Sequence, residues 1–204
     1  MMPINKNGEP EGLKQFKKEM KNKRQLNKEA YDKFRDERSE DFKSLQESLW
    51  KEQYGLCCYC MRKIDFDGNN NVKHSKPKSG NSEEWPRPMT VEHFKPKSKY
   101  ECLSLTYSNL LACCDGKLND NESCCGRKKG NKELHTIPNP SSEKDFNNFV
   151  KKIKFNFKGK IDVDDSLDPK EKKDLLSEIM DVLNLNAEFL VKRREAAFNL
   201  IMKK

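Results

Sequence analysis

Hydrophobic residues recur at helical spacing near the N-terminus, and the periodicity then changes along the chain. After Pro10 and Glu11, the positions of Leu13, Phe16 and Met20 predict an amphipathic helix. From about Asn27 a longer helix is predicted, with Tyr31, Phe34, Phe42, Leu45, Leu49 and Trp50 on one stripe and Gly55 as its stop. Met89-Thr90-Val91-Glu92-His93-Phe94 reads as a short strand ended by Pro96, and Asn109 begins a short apolar run, Asn109-Leu110-Leu111-Ala112. Over 152–163, polar and apolar positions alternate around Lys158-Gly159, a β-hairpin signal. Asp168-Pro169 then caps a helix carrying Leu175, Leu176, Ile179, Met180 and Leu183. Asn186 is expected to cap a last helix with Phe189, Leu190, Ala197, Leu200 and Ile201.

These patterns divide the chain into an N-terminal helical extension (1–53), a cysteine-rich core (54–140) and a C-terminal hairpin with helices (141–204). Within the core, residues 65–87 are rich in Asn, Ser, Lys, Gly and Pro and read as a flexible insert. Lys73, Lys76 and Lys78 of the insert read as solvated, and its His74 as unrelated to any site. Hydrophobic residues are 34% of the chain and charged residues 36%, so the apolar core is expected to be thin and a metal staple useful. A net charge of +8 suits a polyanionic partner as well as it suits simple solubility. The opening Met1-Met2-Pro3-Ile4-Asn5-Lys6 has no apolar leader, and no stretch approaches membrane-span length, so a cytoplasmic protein without a membrane partner is expected. There, thiols stay reduced and clustered cysteines bind metal.

Eight cysteines are present. Cys57-x-x-Cys60 follows the helix stop and presents two thiolates to one ion, and a second pair would complete a tetrahedral Zn²⁺ site. The second pair comes from Cys113, Cys114, Cys124 and Cys125. The doubled pairs leave Cys58, Cys113 and Cys124 as alternatives one residue away, and the favoured set is Cys57, Cys60, Cys114 and Cys125. Cys102 is expected to be a buried small hydrophobe.

Glu92 and His93 stand between the two cysteine pairs. On a regular strand adjacent side chains face opposite ways, so a shared site requires them to lie at the strand end, where the backbone turns. Phosphodiester hydrolysis needs an activated water and neutralisation of the developing charge. A neutral His93 suits the first role, and Glu92 suits the holding of a divalent ion.

The ordered series of Glu92-His93, Asn109 and the four cysteines resembles the HNH endonuclease superfamily. More narrowly, four phrases resemble the PtuB-like nucleases of Septu-type and retron-associated antiphage defence. They are Glu52-Gln53-Tyr54-Gly55-Leu56-Cys57-Cys58-Tyr59-Cys60, Val91-Glu92-His93-Phe94-Lys95-Pro96-Lys97, Tyr107-Ser108-Asn109-Leu110-Leu111-Ala112-Cys113-Cys114-Asp115-Gly116, and Cys125-Gly126-Arg127-Lys128-Lys129-Gly130-Asn131. Ile4, Lys6, Glu9-Pro10 and Val182-Leu183-Asn184-Leu185-Asn186 resemble that family's ends, so the likeness spans nearly the whole chain. It implies an α+β fold: a zinc-stapled ββα-metal (HNH/His-Me finger) core, flanked by N- and C-terminal helices and a small β-hairpin.

The resemblance further implies structural Zn²⁺, catalytic Mg²⁺ or Mn²⁺, a nucleic-acid substrate (DNA favoured, RNA possible) and a PtuA-type ATPase partner. His93 would be the general base, and Asn109 would brace the loop that orients it. Lys95, Lys97, Lys128 and Lys129 are the expected nucleic-acid contacts. One departure stands out: the residue after the last zinc cysteine, often an Asn or His metal ligand in HNH proteins, is Gly126. Asn131 or His135 then substitutes, or the ion relies on Glu92 and water. The competing reading is a non-catalytic zinc-dependent nucleic-acid-binding or adaptor subunit. Apolar surface left over on the terminal helices, from Tyr31, Phe34, Phe42 and Leu45 and from Leu175, Leu176, Ile179 and Leu183, is expected to dock the partner.

Overall fold

The computed structural model describes residues 1–66, 87–119 and 121–202, and the fold is mixed α+β. Three helices open the chain: α1 (Glu11–Asn22), α2 (Ala30–Glu37) and α3 (Ser39–Glu52). The predicted α1 stripe of Leu13, Phe16 and Met20 is buried. The single helix expected from Asn27 is instead two, broken at Arg38, whose backbone leaves helical geometry (φ −127°, ψ 57°). In a straight helix Phe34 and Phe42 would stand about 12 Å apart along the axis. The break folds them together, with ring centroids 6.1 Å apart, and brings Phe42 to 5.8 Å from Tyr31. A further ring contact, Phe16 to Phe34 at 5.2 Å, ties α1 to this corner.

The central sheet has the order β1-β2-β3. β1 (Ile64–Asp65) runs parallel to β2 (Arg87–His93), which pairs antiparallel with β3 (Leu110–Cys114) in a register from Met89↔Cys114 to His93↔Leu110. Every residue of β3 is buried, as its continuous apolar run requires. Of the insert expected at 65–87, residues 67–86, with Lys73, His74, Lys76 and Lys78, lie outside the described residues. Its two ends belong to strands. A one-turn helix, α4 (Cys125–Lys129), follows the sheet, and then α5 (Glu143–Val150).

The expected hairpin is present as β4 (Ile153–Phe155) and β5 (Ile161–Val163). Asp168 caps α6 (Pro169–Ser177) as read, accepting from the amides of Lys170 and Glu171. The helix then widens into a π-turn over Glu178–Val182. There the buried Glu178 carboxylate accepts the amides of His135, Thr136 and Ile137 at 2.6, 3.0 and 2.9 Å. Asn186 does not cap α7 (Glu188–Met202): its carboxamide bonds both backbone groups of Ile161 at 2.8 Å, and its Oδ1 also accepts from the Arg194 guanidinium of that helix at 3.2 Å. One buried apolar cluster draws on all three segments, including Leu13, Phe34, Tyr59, Leu111, Phe146 and Leu183. The two stripes expected to dock a partner fill this core instead, with Leu176 alone among them only partly buried. Among the described residues no helix is long and apolar enough to cross a membrane.

Candidate metal centre and the His93 site

The knuckle at 57–60 closes through the Met61 amide donating to the Cys57 carbonyl (3.1 Å) and the Cys57 amide donating to that of Arg62 (2.9 Å). Met61 takes a left-handed backbone (φ 61°) to make this turn. The Cys58 amide anchors the knuckle on β3 through Ala112, and Cys114 ends that strand. Cys125 opens α4, also left-handed (φ 55°), with its amide bonded to Leu183 at 2.8 Å. These elements bring the sulfurs of Cys57, Cys60, Cys114 and Cys125 within 4.8 Å of one another, the set favoured from spacing. Tetrahedral zinc with Zn–S bonds of about 2.3 Å places its sulfurs roughly 3.8 Å apart. Cys60 and Cys114 stand at 3.9 Å and all four sulfurs within 4.8 Å, a donor set that can hold zinc; Cys57 also lies 3.7 Å from Cys113.

Cys58 and Cys113 form a second, three-membered group with Cys57. Burial pushes the Cys57 and Cys125 thiols well up, so a bound cation is what would make them thiolates. Four thiolates on Zn²⁺ would leave net negative charge, and Arg62 is placed to meet it, donating towards Cys60, Cys114 and Cys124 at 3.5, 3.7 and 3.5 Å. Cys102, expected inside, is exposed.

His93 is the last residue of β2. Its Nε2 lies 2.9 Å from the Ser104 carbonyl, which can only accept, so Nε2 carries the proton and Nδ1 is the basic nitrogen. Ser104 is itself held by its hydroxyl donating to Asn27. The Tyr31 ring meets the imidazole edge-on, at 4.5 Å and 80°. Burial lowers the His93 pKa to about 4; the Ser104 carbonyl opposes this, while Lys97 and Lys129 add to it. The imidazole is therefore neutral at pH 7. Asn109 clamps the segment just past it: Oδ1 accepts the Lys95 amide (2.7 Å), and Nδ2 donates to the carbonyls of Lys95 (3.0 Å) and Leu103 (3.2 Å).

Glu92 takes other partners. Its Oε1 is 2.8 Å from the Lys129 ammonium and 3.1 Å from the Tyr59 hydroxyl, while its Oε2 lies against Gly126. Glu92 and His93 do close β2, and the backbone bends just past them at Phe94 and Lys95, yet as adjacent residues of a strand they take separate partners. Burial raises the Glu92 pKa, and Lys129 and then Tyr59 pull it back.

Lys129, expected on the nucleic-acid face, is only 1% exposed and donates to the His93 carbonyl at 3.0 Å. Lys128 is exposed, Lys95 lies 3.8 Å from Glu133, and Lys97 pairs with Asp32 across the Tyr31 ring. Asn131 sits on the exposed turn past α4, and His135 is exposed with its amide on Glu178. Among the described residues, the groups of three or more His, Cys, Asp and Glu side chains close enough to share an ion are the two cysteine groups; neither contains Glu92 or His135.

Sequence reasoning missed Tyr31, Ser104 and Gln53, whose roles come from contacts distant in the chain and carry no local signal. No protein-family model matches this chain, and no curated protein matches it significantly.

Proposed function

We propose that this chain is a zinc-stapled nuclease of the HNH type, hydrolysing nucleic-acid phosphodiester bonds, with DNA favoured over RNA. The observation that carries the reading is His93: a neutral imidazole with Nε2 tied to the Ser104 carbonyl, at the end of a strand braced by Asn109. Such a base takes a proton from water through Nδ1 while the water oxygen attacks phosphorus. The departing alkoxide takes a proton from solvent, and the imidazolium returns its own. Zinc, bound by Cys57, Cys60, Cys114 and Cys125, would cross-link the knuckle, β3 and α4. Lys95, Lys97 and Lys128 are the proposed phosphate contacts.

The resemblance also calls for catalytic Mg²⁺ or Mn²⁺. The residues around Glu92 do not fit that ion: its carboxylate is paired with Lys129, Gly126 offers no donor, and His135 is not grouped with it. No step above is routed through it. An antiphage role beside an ATPase subunit belongs to the same proposal and rests on the resemblance. The mispaired Glu92 favours the second reading, a zinc-dependent nucleic-acid-binding or adaptor subunit. The test is incubation of the zinc-loaded chain with plasmid, single-stranded DNA and tRNA, with Mg²⁺, Mn²⁺ or chelator, beside His93→Ala. Cleavage lost in a folded, zinc-replete His93→Ala supports the nuclease. Binding without cleavage under every condition supports the adaptor.

A further inference from the structure

The charge balance at Glu92 involves Gly126 and Lys129 together. Both belong to the single turn of α4 and stand three residues apart, hence on one face. A Cβ on Gly126 would lie 2.4 Å from Glu92 Oε2, so only glycine leaves the carboxylate its place. One turn face thus provides both room for the carboxylate and the ammonium that neutralises it, 2.8 Å from Oε1. The same ammonium donates to the His93 carbonyl at 3.0 Å, and the Tyr59 hydroxyl takes up a further lone pair of Oε1.

We infer that Lys129 is the resident cation of the Glu92 carboxylate, standing where a divalent ion would otherwise be held. A Mg²⁺ or Mn²⁺ ion on Glu92 would need near-octahedral oxygen ligands at roughly 2.1 Å. To get them it would have to displace a buried ammonium and leave that charge without its counter-ion. The pairing stands apart from the nuclease reading.

The test is Mn²⁺ uptake by the zinc-loaded full chain, read from the loss of the free-ion paramagnetic resonance signal, which does not depend on activity. Wild type and Glu92→Gln are expected to take up Mn²⁺ alike. Lys129→Gln is expected to gain a site that Lys129→Gln/Glu92→Gln lacks. Wild-type binding that weakens by about tenfold or more in Glu92→Gln overturns the inference, as does a folded Lys129→Gln that gains no Glu92-dependent site. Should the variants fail to fold, wild type decides alone. Mn²⁺ at about 1 mM is expected to leave the His93 and Lys129 proton resonances unbroadened, and selective broadening of both overturns the inference. Cleavage by wild type, measured separately, tests the nuclease reading without bearing on this one.

Discussion

The carboxamide of Gln53 bonds both backbone groups of Ala112: Oε1 accepts the amide at 2.7 Å, and Nε2 donates to the carbonyl at 2.7 Å. Gln53 sits just past α3, is buried, and also donates to the Leu56 carbonyl. Its side chain therefore pairs with the middle of β3 as a neighbouring strand would, and joins the knuckle to the sheet. Gln53→Ala would take the acceptor from the buried Ala112 amide, at about 1–3 kcal/mol, while the Ala112 carbonyl keeps the Cys58 amide. The expected outcome is a lower midpoint in urea with zinc content retained.

One tightly bound zinc per chain is expected. Structural zinc contributes on the order of 10 kcal/mol of binding free energy, comparable with the stability of a whole domain. Cys57→Ser and Cys125→Ser should therefore give insoluble or unfolded protein, whereas Cys102→Ser, at an exposed position, should behave as wild type. Metal analysis with circular dichroism decides; a zinc-free native protein, or a fully folded Cys57→Ser, would refute the assignment.

Acid should destabilise the fold through His93. Its pKa is about 4 in the folded chain against an ordinary 6.5, so between those values the unfolded chain binds more protons and stability rises with pH. The contribution is present above about pH 6.5, fades as pH falls to 4, and is at most about 3–4 kcal/mol. His93→Gln should flatten that part of the stability curve. If the nuclease reading holds, cleavage should show no loss of a basic group between pH 5.5 and 7, against the range of an ordinary histidine. Titration of the His93 ring protons by NMR measures the value directly.

Removing residues 1–40 should unfold the chain rather than release only a bound partner. Leu13, Phe16 and Phe34 are buried core residues, and Tyr31 packs on the imidazole. Each large core side chain is worth about 2–5 kcal/mol on truncation, so the loss exceeds the stability of a typical domain. A truncated chain with a native near-ultraviolet spectrum would contradict this.

Features encoded by short-range periodicity were legible in the sequence: the α1 stripe, the hairpin around Lys158-Gly159 and the Asp168 cap. The Cys57–Cys60 pair was legible too, because two thiols at knuckle spacing constrain each other, whereas spacing left Cys113 and Cys124 open beside Cys114 and Cys125, which the structure brings to that pair. The break at Arg38 was not, since no Pro or Gly marks it and its cause is ring packing across the corner. Asn186 misled for a related reason. A residue suited to capping found two backbone partners on β5, and nothing nearby in sequence announces them. Lys129 looked like one more surface cation. It is buried against the Glu92 carboxylate, which takes the space beside Gly126, and that pairing becomes visible only once the strand and α4 are placed together.

The carboxylate of Glu178 has a consequence for how the chain breathes. Residues 135–137 belong to neither helix nor strand, yet their three successive amides all donate to that one buried group. Irregular segments ordinarily exchange amide protons quickly, because brief local openings suffice. Here the acceptor belongs to the π-turn, whose following residue, Leu183, is bonded to the Cys125 amide, so freeing those protons means loosening that turn. The stretch should exchange as slowly as β3, and the π-turn after α6 should open together with the cysteine cluster as one cooperative unit.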